Sequence, residues 1–150
     1  MTEVSFYHLQ QQPIEQVLPV LLHKILARGW KAIIETTIAE RVKALDDHLW
    51  MFSEDDFLPH ATASDVEADY DPIIILSDAS TPIKAHVRFY IDQAPLSDNI
   101  TDYERIIVLF DGNDNNALNN AREQWKHVKS LSIDATYWQQ DDDKRWIKKA

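Results

Sequence analysis

The chain has 150 residues, 45% of them hydrophobic, no cysteine, and a formal net charge of −10 at pH 7. That length suits one domain with a real core. The missing cysteines exclude disulfides, zinc–thiolate sites and cysteine nucleophiles, and the acidity argues against gripping a nucleic-acid backbone through the overall field. The start, MTEVSFYHLQ, has neither the basic nor the apolar region of a secretory signal. No apolar run approaches the roughly 18 residues of a membrane span. A cytoplasmic location without membrane contact is expected. Charge is unevenly spread. Residues 105–150 carry eight Lys/Arg and seven Asp/Glu, net +1, whereas residues 1–104 carry seven and eighteen, net −11. Either this is scattered solvated charge, or a positive patch sits in the C-terminal third.

In chain order, Val4–Leu9 (VSFYHL) is a β-branched and aromatic run that predicts a strand. Val17, Leu18, Leu21, Leu22 and Ile25 follow at helical spacing, and Gly29 suits the position just past that helix. Either Pro13 or Pro19 can open it; if Pro13 does, Pro19 should kink it. Lys31–Thr36 predicts a second strand. Thr37-Ile38-Ala39-Glu40 has the form of a capping box, opening a helix that presents Val42, Leu45 and Leu49. Ser53–Tyr70 is polar, acidic and without period, which predicts a long loop. Pro72–Leu76, Lys84–Ile91 and Arg105–Phe110 predict three strands, the first and last buried by their continuous apolar runs. Asp111-Gly112-Asn113-Asp114 predicts a turn, with Asp114 or Asn113 as N-cap of a helix to about Ser130. Ser132–Gln140 predicts a last strand, followed by a charged tail. The order β-α-β-α-β-β-β-α-β implies a single α/β domain with a largely parallel sheet, without repeat or linker.

Such folds often bind nucleotides at a Gly-rich first turn. Here there are two glycines, neither in a phosphate-binding pattern, and the turn after the first strand reads Gln10-Gln11-Gln12-Pro13. Dinucleotide and P-loop chemistry are not expected. The six histidines are scattered, without HExxH, and each reads as a surface or satisfied structural group; no nucleophile elbow occurs. The acidic runs at 54–56 and 141–143 read as solvated loops. No catalytic, cofactor or metal site is assembled in the sequence.

Two features remain. On the third helix Leu118, Ala121, Trp125 and Val128 make an apolar stripe, and Arg122, Lys126 and Lys129 an adjoining cationic one. Trp125 lies at the seam. Spacing leaves two possibilities: Trp125 is core beside a solvated face, or it walls a pocket for an acidic peptide ending in an apolar residue. The second feature is Leu49-Trp50-Met51-Phe52 with Phe57-Leu58-Pro59-His60, apolar groups either tucked under the acidic loop or exposed to a partner.

A set of segments in order bears on the choice: Phe6-Tyr7-His8-Leu9, Ala44-Leu45-Asp46-Asp47-His48-Leu49-Trp50, Phe57-Leu58-Pro59-His60, Phe110-Asp111-Gly112-Asn113-Asp114, Ala121-Arg122-Glu123-Gln124-Trp125-Lys126 and Tyr137-Trp138-Gln139-Gln140. In these the chain resembles the chi subunit of the bacterial DNA polymerase III holoenzyme. The resemblance implies a single three-layer Rossmann-like domain, helices on both faces, without a nucleotide site or cofactor. It implies a non-catalytic accessory of the clamp loader, bridging the psi subunit to the acidic, Phe-ended tail of single-stranded DNA-binding protein, and so meeting DNA only indirectly. Arg122, Trp125 and Lys126 fall on the family's tail-binding positions, with Lys129 beside them and Thr136 and Tyr137 of the last strand lining the same pocket. Trp50, Phe57 and Pro59 fall where psi, or in some bacteria a helicase-like protein, binds. The competing classes are a degenerate nucleotide-dependent enzyme and a direct binder of single-stranded DNA.

Overall fold

The computed structural model describes residues 2–10, 12–51, 60–62, 73–76, 85–96 and 100–149. The elements run β1 (Glu3–Leu9), α1 (Ile14–Ala27), β2 (Ala32–Glu35), α2 (Ala39–Met51), β3 (His60–Thr62), β4 (Ile73–Leu76), β5 (Val87–Tyr90), β6 (Arg105–Asp111), α3 (Asn115–Ser130), β7 (Asp134–Gln140) and β8 (Trp146–Lys148). The strands form one sheet in the order β3-β4-β2-β5-β6-β1-β7-β8. Every neighbouring pair is parallel except β7–β8.

Strand periodicity sorts the central side chains into two layers. Leu9, Ile34, Val87, Phe89, Ile107 and Leu109 face α1 and α2. Val4, Phe6, Ile106, Val108 and Phe110 face α3. The result is the three-layer Rossmann-like arrangement expected, with helices on both faces of a largely parallel sheet.

Local chemistry sets the helix ends. Pro13 is the N-cap of α1, and the helix runs on through Pro19. Proline has no N–H for the Glu15 carbonyl one turn back, and His48 Nε2 on α2 donates to that oxygen at 2.7 Å. After α1 the Gly29 N–H bonds the Leu26 carbonyl and the Trp30 N–H bonds that of Ile25. Gly29 sits at φ +74°. This is the Schellman closure that the glycine suggested. Asp114 caps α3, accepting from the N–H groups of Asn116 and Ala117. The capping box at Thr37 does not form: the Thr37 hydroxyl donates to the Asp92 carbonyl, a tertiary bond that sequence spacing does not reveal.

Two strands depart from expectation. His60–Thr62, inside the stretch expected to be loop, pairs with β4. Trp146–Lys148, in the stretch expected to be a charged tail, pairs antiparallel with β7. Both have three residues, too few to display a period of two, and each exists through its neighbour's ladder. The turn before β8 is held by Asp141 Oδ1, which accepts from the N–H groups of Asp143 and Arg145, both at 2.9 Å.

Candidate functional site

The chain leaves β1 for α1 on one face and β6 for α3 on the other. Open α/β sheets bind ligands outside the carboxyl ends of strands at such a switch point. A cavity of about 510 Å³ lies there, and Glu15, Asp92, Asp111 and Asp114 line it with the single cation Arg41. Arg41 is already engaged by Glu15 at 2.8 Å and Asp92 at 3.3 Å. Burial disfavours the Glu15 carboxylate, yet hydrogen bonds from its own N–H and from Arg41 hold its pKa below the usual range. Four carboxylates around one neutralised guanidinium repel a phosphate. Among the described residues, no group of three or more His, Asp or Glu is arranged to hold a metal ion.

The cationic helix presents a different surface. The stripe that α3 buries is Ala117, Ala121, Gln124 and Val128, so the buried face is rotated toward Gln124, whose Nε2 donates to the Ala94 carbonyl at 3.0 Å. Leu118 and Trp125 are left half-buried at the opposite border. There the indole meets Phe6 edge-on at 5.5 Å between centroids and Tyr137 at 6.0 Å. Trp125 is thus anchored in the core by one edge and left partly exposed along the other. Lys129 Nζ lies 5.5 Å from its ring centroid, a cation–π contact. Lys126 is exposed and 3.6 Å from Glu123 Oε1, one turn away. Arg122 is exposed, and among the described residues no hydrogen bond or ion pair ties it down.

Tyr137 and the cations share the α3 face of the sheet. Thr136 does not. As the next residue along β7 it points to the α1 face, where its hydroxyl donates to Ser5 Oγ at 3.1 Å and accepts from Trp138 Nε1 at 3.1 Å. Strand parity separates it from Arg122 by the thickness of the sheet. Trp50 lies in α2, with its side chain outside the described residues, as are Phe57 and Pro59 altogether.

His8 was not among the site residues anticipated. Its Nδ1 is 2.6 Å from the Tyr137 hydroxyl, and its ring tilts against Phe110 at 5.2 Å. It is 8% exposed. Burial, reinforced by the charge of Arg122 and opposed by Asp111, lowers its pKa. Burial raises that of Tyr137, opposed by Arg122. A neutral His8–Tyr137 pair therefore forms the floor beneath the cationic helix. Its signal in the sequence was the pairing of FYHL with the glycine of FDGND. A Cβ on Gly112 would stand 1.8 Å from His8 Nε2, so the glycine makes room for the imidazole.

These features define a Rossmann-like α/β protein whose switch-point crevice is acidic and whose cationic, aromatic surface lies on the far helix. Comparison with known proteins makes the assignment specific. The chain matches the family described as DNA polymerase III chi subunit, HolC, over residues 1–136. It is also similar to the probable DNA polymerase III subunit chi of Rickettsia prowazekii (strain Madrid E), 26% identical over 117 residues, covering 74% of this chain and 71% of the relative. The chain belongs to the chi subunit family, and is by that membership an accessory subunit of DNA polymerase III.

Proposed function

We propose that this chain is a non-catalytic tether in the cytoplasmic replicase, joining the clamp loader, through psi, to the acidic C-terminal tail of single-stranded DNA-binding protein. The observation that carries this is Trp125: a partly exposed indole seated on Phe6 and Tyr137, with Arg122, unpaired among the described residues, one turn away and Lys129 over its ring. The tail's terminal Phe packs beside Trp125, and its carboxylates pair with Arg122, Lys126 and Lys129. The contacts of the exposed lysines are individually weak and salt-sensitive, and a bidentate pair of Arg122 with a carboxylate is the stronger one. Many tails on one coated strand offset this by raising the effective concentration. Psi, or a helicase-like protein in its place, is bound through Trp50, Phe57 and Pro59. DNA is met only through the coat protein, as the net charge of −10 favours.

The test is a titration with a fluorescein-labelled peptide, Asp-Asp-Asp-Ala-Ala-Phe with a free carboxyl terminus. Arg122→Ala should weaken binding roughly ten- to hundredfold, the worth of a charge-assisted hydrogen bond. An unlabelled oligo-dT should not compete. Failure of the unaltered protein to bind the peptide at low salt sinks the tether. Tight oligo-dT binding would instead favour direct recognition of single-stranded DNA.

A further inference from the structure

The charged C-terminal segment folds back as β8, beyond the residues the family match covers. Register decides where its side chains point. Ile147 is the cross-strand partner of Gln139, and the Lys149 N–H donates to the Tyr137 carbonyl at 2.7 Å, which carries the same register one pair further. Residues directly opposite on neighbouring strands project to the same face. Tyr137 lies on the α3 face, so Gln139, Ile147 and Lys149 do as well. The hairpin is held from the other face, where Trp146 packs edge-on against Tyr7 at 4.9 Å. Heights also agree. Trp125 touches Tyr137, so Lys149 is level with the indole. Arg122 is one helical turn nearer the end of β7, about 5 Å, close to the two-residue step of about 7 Å from Tyr137 to Gln139 and its partner Ile147.

Ile147 is 41% exposed, one of four large apolar residues so exposed among those described. A lone exposed isoleucine is ordinary. This one shares its face of the sheet with Lys149 and with the helix that carries Arg122, Lys126 and Lys129. The connecting turn, Asp141-Asp142-Asp143-Lys144-Arg145, carries a net charge of −1, with Asp141 and Asp143 paired with Arg145, and so offsets one of these four positive charges.

We infer that the β7–β8 hairpin is the outer wall of the acidic-peptide groove, with Ile147 contacting the apolar end of the peptide and Lys149 its carboxylates. The inference rests on the proposed tail-binding role, and charge complementarity commits the groove to an acidic, apolar-ended peptide. It gives the segment 141–149 a part in recognition.

The experiment uses the full chain carrying Ile147→Ser, Lys149→Glu or the milder Lys149→Gln, with the same Phe-ended peptide and a twin ending in Ala. All three changes are at exposed positions, and unchanged urea midpoints verify folding. Lys149→Glu should weaken both peptides by about threefold or more at about 50 mM salt, with the effect fading near 500 mM. Lys149→Gln should give a smaller change of the same sign. Ile147→Ser should reduce the preference for Phe over Ala by about threefold, the worth of a partial apolar contact. If all three variants bind like the original while Arg122→Ala weakens binding, the hairpin is not part of the groove and the tether survives. If the original protein binds neither peptide, both proposals fall together.

Discussion

Gly112→Ala tests the packing of His8 beneath α3. The glycine is not at positive φ, so alanine meets no backbone obstacle there. The obstacle is His8: the new Cβ would lie 1.8 Å from Nε2 and 2.0 Å from Cδ2. Carbon contacts settle at about 3.5 Å or more, so the ring edge must retreat by roughly 1.7 Å. It cannot retreat and keep its 2.6 Å bond to Tyr137. Overpacking of this kind costs about 1–3 kcal/mol, and the lost hydrogen bond about 0.5–1.5 kcal/mol. Reduced freedom of the unfolded chain returns about 0.4–1 kcal/mol. The net expectation is a loss of about 0.5–4 kcal/mol, read from urea unfolding at pH 7.5. In a His8→Ala background the space is open, and the same substitution should be nearly neutral. An equal penalty in both backgrounds would refute the argument, because the clash would then not be with the imidazole.

Three further predictions concern the rest of the molecule. Arg88 and Glu35 are 0% and 2% exposed and form an ion pair, completed by Arg88 donating to the Tyr103 hydroxyl at 2.8 Å. Glu35→Ala leaves that guanidinium buried and should cost about 3–5 kcal/mol in urea; a loss below about 1 kcal/mol would show that the charge is solvated. Burial first, and Arg122 second, lower the pKa of His8 below its ordinary 6.5. The unfolded chain then binds the His8 proton more readily, so stability is unaffected above that value and declines as pH falls through it toward the lowered folded value. His8→Gln should flatten the decline by up to about 1.4 kcal/mol per pH unit. Identical slopes in both proteins between about pH 7.5 and 5.5 would count against it. Asp114→Ala removes the acceptor for two N–H groups opening α3 and should cost about 1 kcal/mol by thermal unfolding.

Much of the fold was legible because it is written in local periods. The β-branched and aromatic run of β1 and the continuous apolar runs of β4 and β6 mark them as strands, and the 3.6-residue spacing in α1 and α3 marks the helices. Gly29 and Asp114 mark ends by conformational and hydrogen-bonding preferences that act within a few residues. The site was half legible. Periodicity set Trp125 at the border of an apolar and a cationic stripe but could not say how far the helix was rotated. The extra buried residue proved to be Gln124, because a partner carbonyl at Ala94 waits 30 residues away.

What only the tertiary structure decided is what depends on pairing across the sheet. Thr136 and Tyr137 are neighbours in sequence and look equally suited to line one pocket, but consecutive strand residues face opposite sides, and the burial of Tyr137 against Trp125 sends Thr136 away. β8 was invisible because three residues carry no period, and its direction comes from the ladder of β7. His8 and Gly112 are more than a hundred residues apart and meet because β1 and β6 run parallel in register. By itself the sequence determined which residue types and which local elements the chain has, since those follow from interactions within a turn or two of backbone. Long-range register determined which side chains share a surface, and so set Tyr137, Gln139, Ile147 and Lys149 on the face of the sheet that α3 covers.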